Sequence, residues 1–156
     1  MILEKGDMFD SWGKCDLWLF TACSHLSWQG ELTMGAGIAK EVKNKWPRLP
    51  GIMGATLQGR GYGDESDYGV CVPIYVPGLV GRSKIGAFQT KWHWKEPSSL
   101  ALIGYSVVKL QTLCQYGGLS CVHLNFPGIG CGGLDRDHVL PIISELPDSV
   151  HVWERG

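Results

Sequence analysis

No run of apolar residues in this chain approaches the ~20 that a membrane span requires; the best, Leu17 to Cys23, is far too short. No basic segment precedes an apolar one in the opening Met-Ile-Leu-Glu-Lys-Gly-Asp, so no secretory leader is read there and a cytoplasmic location without membrane partners is expected. An excess of one charge is missing too. Fourteen basic against fifteen acidic residues leave a net charge of −1, and no global field recruits polyanions. The six cysteines include no pair at CxxC spacing, which argues against a zinc ribbon, and several lie in apolar stretches where a free thiol acts as a small hydrophobe. Reduced thiols are expected, without a disulfide framework. The five histidines do not cluster along the chain, and no metal is expected. Repeats, low-complexity tracts and linkers are also absent. With 44% apolar and 19% charged residues over 156 positions, disorder is excluded and a single domain spanning 1–156 is expected.

Glycine is abundant, with 22 residues concentrated at 35–37, 51–63, 78–86 and 128–133. Between these clusters the apolar period switches between strand and helix. Residues 16–23 read as a buried strand. From Gly37 to Trp46 one helical face carries Ile38, Ala39, Val42 and Trp46, and Pro47 ends it. A short apolar segment leads to a surface turn at Gly59–Gly63. Tyr68–Val76 and Lys84–Thr90 read as two strands joined by a Gly-Pro-rich turn. After Pro97 a longer helix carries Ile103, Val107, Leu110 and Cys114 on one stripe, and Gly117-Gly118 closes it. Leu119–Phe126 is a further buried strand, followed by a short helix over about Asp137–Leu146 and a last strand, Ser149–Trp153. Alternating strands and helices predict a layered α/β fold with helices on both sheet faces. Ligands of such folds bind at the carboxyl ends of strands, where two glycine clusters fall.

The cluster Gly128-Ile-Gly-Cys-Gly-Gly133 satisfies G-x-G-x-x-G between a strand and a helix, and Glu154 follows about twenty residues on, as in a dinucleotide fingerprint. Only one strand-helix-strand unit remains in the chain to carry such a ligand, so the fingerprint alone is weak. What holds on physical grounds is that contiguous glycines let backbone N–H groups approach phosphate oxygens. Met34-Gly-Ala-Gly-Ile38 makes a second such junction, and two loops suggest a diphosphate gripped from both sides.

Three segments together carry a resemblance: Lys5-Gly-Asp-Met-Phe9, Met34-Gly-Ala-Gly-Ile-Ala39 and Pro127-Gly-Ile-Gly-Cys-Gly-Gly-Leu-Asp-Arg136. In order and spacing they resemble the macrodomain family across nearly the whole chain. The resemblance implies a three-layer α/β/α fold with a central mixed sheet, binding of ADP-ribose, and no cofactor. Within the family the chain is most similar to the branch of terminal ADP-ribose protein glycohydrolase and of the antitoxin macrodomain that reverses ADP-ribosylation of DNA. That branch carries a catalytic lysine in the segment corresponding to Phe88-Gln-Thr-Lys-Trp-His-Trp-Lys95, which places Lys91, after Thr90, in that role. The Gly-Leu-Asp-Arg run puts Asp135 at the catalytic aspartate. Asp7 matches the aspartate that binds the adenine amino group and Met8 the backbone donor beside it. Met34, Gly35, Ala36, Gly37 and Ile38 match the loop around the diphosphate and distal ribose. Pro127, Ile129, Gly130, Cys131, Gly132, Gly133 and Leu134 match the second phosphate loop. The stretch Thr21–Thr33 departs from the pattern, being longer and lacking the asparagine many relatives carry; Ser24 or His25 would substitute for it near the distal ribose.

The implied activity is removal of ADP-ribose from a modified macromolecule, either DNA or an acidic protein side chain. Lys91 would act as nucleophile at the anomeric carbon and Asp135 as its acid–base partner. A free lysine is protonated near neutral pH, so Lys91 would need a lowered pKa, and Lys95, Trp92 and Trp94 offer like charge and desolvation in that direction. Without the resemblance, Lys91 reads as a solvated lysine at a strand end. Asp135 reads as a helix N-cap, worth ~1 kcal/mol, although Asp137 fits that job and frees it. Trp92, His93 and Trp94 would either stack a base or pack a strand end. Four basic residues and no acidic one lie between Arg82 and Lys95, a patch suited to single-stranded DNA as the modified partner. Two other classes stay open: a phosphatase for ADP-ribose-1″-phosphate, with His25 as its one water-activating candidate, and a non-catalytic module that binds or sequesters ADP-ribose-type nucleotides. A Rossmann-like oxidoreductase comes last, because the nicotinamide half has no second motif.

Overall fold

The first four residues of Leu17–Ala22 (β2) are apolar, and the strand is buried on both faces. Trp18, Phe20 and Ala22 point into one core, Leu17 and Leu19 into the other, as the period-2 geometry of a strand demands. A strand this apolar must be central. The computed structural model, which describes residues 1–155, places it between β4 (Lys84–Gln89) and β5 (Val122–Asn125), parallel to both. Beyond β5 come β6 (Val150–Glu154) and β1 (Ile2–Lys5), also parallel; beyond β4 lies the two-residue β3 (Val70–Cys71), antiparallel. The mixed six-stranded order is β1-β6-β5-β2-β4-β3.

One face is covered by α1 (Gly37–Lys45) and α2 (Leu49–Gly59), whose Ala39, Val42, Leu49, Met53 and Leu57 join Trp18 and Phe20 in the first core. The other is covered by α3 (Leu100–Tyr116) and α4 (Arg136–Ile143), through Ile103, Val107, Leu110, Val139 and Ile143. The result is three layers, α/β/α. No helix among the described residues is long and apolar enough to cross a membrane. At the amino end of the sheet, Asp16 Oδ2 accepts from Ser120 N (2.9 Å), Ser120 Oγ (2.8 Å) and Cys121 N (3.0 Å). Those bonds tie the start of β2 to the start of β5 and hold the Asp16 carboxyl below its usual range.

Several elements differ from the sequence reading. The short apolar segment after Pro47 is helix α2. Its three glycines, each costing about 1 kcal/mol relative to alanine, mask the i, i+4, i+8 stripe of Leu49, Met53 and Leu57. Strand β1 has no apolar period; it is an edge strand with Ile2 and Leu3 about two-fifths exposed, held by its ladder to β6. The strand expected over 68–76 shrinks to Val70–Cys71, because Pro73 has no N–H for the ladder. Helix α4 starts at Arg136 and is capped by Asp135, whose Oδ1 accepts from Asp137 N at 2.9 Å. Asp137 is therefore not the cap.

The segment 24–33 folds back through a Leu26–Leu32 bridge and lies on α2, with Leu32 N donating to Pro50 O at 3.0 Å. A Cβ at Gly54 would collide with the Gly30 carbonyl of this segment. Gly54→Ala is expected to cost about 1–3 kcal/mol by overpacking, read as a lower urea midpoint with an unchanged m-value.

Candidate functional site

All five parallel strands end on one edge of the sheet, and a cleft of about 340 Å³ opens there. Its floor is made of strand ends, each the last residue of a strand and the one after it: Ala22 and Cys23 at β2, Asn125 and Phe126 at β5, Glu154 and Arg155 at β6. The β2–β5 register runs as far as Leu19–Leu124. Past it, the Asn125 side chain continues the pairing: Thr21 N donates to Oδ1 (2.9 Å) and Nδ2 donates to Thr21 Oγ1 (2.9 Å).

Two glycine loops wall the cleft. In the first, buried Met34 anchors the chain while Gly35, Ala36 and Gly37 stay exposed, and Gly37 takes φ +57° at the start of α1. Ala36 at the N-cap offers no side-chain acceptor, so first-turn N–H groups of α1 face the cleft unspent. In the second, Gly128 has φ +81°, and a Cβ there would press on Ile103 and Leu134 at 2.8 and 2.9 Å. Gly130–Gly132 then form a 3₁₀ turn whose N-cap, Ile129, also has no side-chain bond. Gly37 and Cys131 bring the loops face to face, a Cβ on Gly37 lying 3.8 Å from Cys131 Sγ.

Lys91 stands on the cleft wall at the end of β4 beside Thr90 and half-exposed Trp94. Its backbone is fixed by buried polar groups. Thr90 N donates to Ala22 O (3.0 Å), and Ser99 N donates to Thr90 O (2.9 Å). Gln89 is fully buried; its Oε1 accepts from Tyr68 N (2.8 Å) and Gly69 N (2.9 Å), while Nε2 donates to Ser66 O (2.8 Å) and Lys91 O (3.4 Å). On the floor, burial pushes the Cys23 thiol up, and the nearby Lys91 ammonium offsets part of that.

Of the residues expected at the site, Met8, Gly35–Ile38, Thr90, Lys91 and Ile129–Gly132 line the cleft. Met34, Pro127, Gly133 and Leu134 are not in the lining; Met34 and Pro127 are buried, Leu134 is partly buried and Gly133 is exposed. Asp7 caps the 3₁₀ turn Met8–Ser11, accepting from Phe9 N (2.9 Å), with Arg155 Nη2 3.6 Å from its carboxylate. Arg155 lines the cleft and is itself held by Glu41 at 2.8 and 3.0 Å. Asp135 is exposed and outside the lining. His25 is outside it as well, its Nδ1 2.7 Å from Thr33 Oγ1 and its ring edge-on to His93 at 4.7 Å.

Three expectations are corrected. The basic patch is split, because β4 is six residues long and its ends lie about 17 Å apart. Arg82 and Lys84 sit at the amino end, Arg82 within 3.7 Å of Asp16, and only Lys91 and Lys95 reach the cleft side. Glu154 is not a free ribose acceptor, since it takes both arms of Arg136 (2.7 and 2.8 Å). Four of the five histidines pair, His25 with His93 and His123 with His151. The sequence reading also missed Thr33, Ser98, Asn125, Trp153 and Arg155 as lining residues. The carboxyl-end rule, applied to every strand, would have found Asn125 and Arg155. Ser98 and Thr33 come from loops that carry no such signal.

A mixed six-stranded sheet between two helical layers, with paired glycine loops on its carboxyl edge, defines this chain as a macrodomain by fold. It superposes on the macrodomain of Thermus aquaticus DarG with a TM-score of 0.73 at 23% identity, covering 99% of this chain and 97% of that one. It matches Thermosipho africanus DarTG, solved in complex with ADP-ribose, with a TM-score of 0.74 at 19% identity over 100% of this chain and 42% of that one. In sequence it is 30% identical over 119 residues to the DNA ADP-ribosyl glycohydrolase of Mycobacterium tuberculosis (strain ATCC 25618 / H37Rv), 74% of this chain. The match spans 33% of that relative's length. No family model matches the chain. By fold the chain is a macrodomain, similar to the macrodomains of DarG.

The Arg136 hydrogen bonds hold the Glu154 carboxyl, 12% exposed, below the ordinary 4.5. A carboxyl with a lowered folded-state pKa adds stability above about pH 4.5 that disappears as pH falls through the folded value. Glu154→Gln is therefore expected to lower the melting temperature at pH 7 and to flatten its decline in acid, read by thermal unfolding from pH 7 to 3.

Proposed function

We propose that this macrodomain binds ADP-ribose in the cleft and removes it from a modified macromolecule, ADP-ribosylated DNA in the first instance. The observation that carries this reading is the place of Lys91: on the wall of the same cleft that two uncapped glycine loops line. A cleft of 340 Å³ falls within the roughly 300–1,000 Å³ range of small-molecule sites. Two uncapped N-termini facing each other suit a diphosphate. Met8 and Arg155 follow β1 and β6, on the side of the cleft away from β4 and Lys91, and with Asp7 beside them they would receive the adenine. Relatedness to a protein named DNA ADP-ribosyl glycohydrolase supports the same direction.

The chemistry follows from an amine beside an anomeric carbon. Lys91 Nζ, as the free amine, attacks the distal anomeric carbon as its bond to the modified group breaks. Asp135 supplies a proton to the leaving group. The lysine N-glycoside so formed returns a nitrogen proton to the Asp135 carboxylate and opens its ring, the bond between the anomeric carbon and the ring oxygen breaking as that oxygen takes up a proton; water then hydrolyses the resulting lysine–sugar imine, releasing ADP-ribose and restoring the amine. Asp135 spends Oδ1 on the α4 cap, and Oδ2 is uncommitted among the described residues. Single-stranded DNA is the partner favoured for the cleft mouth. Trp94 is 47% exposed there, with the His93 ring stacked on it at 5.5 Å and Lys95 Nζ 5.0 Å from its ring centre, an aromatic and cationic group of the kind that holds a nucleic-acid strand. The phosphatase reading weakens, because His25 is turned to Thr33 and His93 outside the lining. A non-catalytic binder is the second reading, favoured by the cap role of Asp135.

Release of ADP-ribose from ADP-ribosylated single-stranded DNA tests both. Lys91→Ala is expected to lose at least a hundredfold in turnover while binding ADP-ribose within a few-fold of wild type; turnover equal to wild type removes Lys91 from the reaction. Asp135→Asn separates cap from chemistry, since asparagine caps as well as aspartate. An unchanged melting temperature with turnover reduced at least tenfold is expected. Full activity would leave Asp135 as a cap alone, and no turnover from wild type that binds ADP-ribose would select the binder.

A further inference from the structure

Away from the cleft, the first-core face of β5 and β6 carries a group of side chains that the proposed reaction does not use. Cys121 and His123 are two residues apart and so project to the same face, and His123 is the direct cross-strand partner of His151. The two imidazoles stack with centroids 5.0 Å apart. One donor atom from each of Cys121, His123 and His151 lies within 4.8 Å of the others. Tetrahedral zinc with bonds of 2.0–2.3 Å separates its ligand atoms by about 3.3–3.8 Å, so side-chain rotation alone closes the set.

We propose that Cys121, His123 and His151 bind one zinc-class divalent cation, and that occupancy of this site is linked to the cleft through Trp153. The donor set of one thiolate and two imidazoles selects zinc over magnesium or calcium. His151 is already oriented as a ligand. Glu4 Oε1 holds its Nδ1 at 2.9 Å and leaves Nε2 for the cation, the carboxylate–histidine arrangement common around zinc. On coordination the Cys121 thiol gives its proton to solvent, and water takes the fourth position.

His123 supplies the link. Its Nδ1 accepts the Trp153 indole N–H at 2.9 Å, so the ring proton of the neutral form sits on Nε2. A cation on Nδ1 displaces the indole. A cation on Nε2 sends the proton to Nδ1, where it opposes the indole N–H. By either route the Trp153–His123 bond is lost, and Trp153 lines the cleft two residues beyond His151 on the same strand face.

Titration of the reduced protein with cobalt(II) and zinc tests this with no need of ADP-ribose, so its failure is separate from failure of the glycohydrolase reading. Wild type is expected to bind one equivalent with a thiolate-to-cobalt charge-transfer band and a change in tryptophan fluorescence. Cys121→Ser should lose the band and weaken zinc at least tenfold, whereas Cys131→Ser should keep the band. Glu4→Gln, a surface change that leaves the three ligands in place, should weaken zinc about tenfold. Trp153→Phe has no indole bond to break, and should bind zinc roughly threefold to tenfold more tightly with the fluorescence response largely gone. No cobalt binding by wild type, or a band that survives Cys121→Ser, overturns the site. Zinc affinity unchanged in Trp153→Phe overturns the link.

Discussion

Parallel pairing on both sides of β2 is the constraint on which the rest of this molecule depends. A strand with Trp18, Leu19 and Phe20 fully excluded from water can only lie at the centre of a covered sheet, and parallel neighbours require crossovers that lay helices on both faces. Once β4, β5 and β6 run in the same direction, their carboxyl ends align and a concave edge results. The Thr21–Asn125 clasp at one end of β2 and the Asp16–Ser120 clasp at the other lock β2 against β5, and with it the shape of that edge.

The helix starts differ in how their first donors are satisfied. Helix α3 begins with Ser99 accepting from Leu102 N, and α4 with Asp135 accepting from Asp137 N, so both satisfy an orphan donor internally. Two starts on the cleft, Ala36 before α1 and Ile129 before the 3₁₀ turn at Gly130, have no side-chain cap, as α2 has none at Arg48, whereas the turn at Met8 is capped by Asp7. Donors left free at those points, with glycines that admit close approach, suit an anionic ligand. Lys91 complements them from β4, its backbone held by an amide, Gln89, that is wholly buried and bonded at both ends.

Much of this was legible in the residues. The apolar period located β2, α1, α3 and β5, and glycine clusters before helices located the two loops. Lys91 came from resemblance in a local segment. Local spacing misled where several elements had to meet. Asp135 and Asp137 are equivalent as caps until the backbone at 135 is seen to be extended and 136 helical. Arg82, Lys84, Lys91 and Lys95 look like one patch until the length of β4 puts two of them at each edge. Histidines 28 residues apart become stacked neighbours only through the β5–β6 register.

What the sequence by itself determined is the class of molecule, since burial of alternating apolar strands and striped helices is a local pattern with few layered solutions. It also located the two glycine loops, because runs of glycine at strand–helix junctions mark backbone that takes positive φ or packs too closely for a side chain. The tertiary structure alone decided which side chains share a space. It brought Asn125 to Thr21, Arg136 to Glu154, Cys121 and His123 to His151, and Trp153 between that cluster and the cleft. Those meetings depend on strand order and register, which are set by packing of the whole chain and leave no signature at any one position.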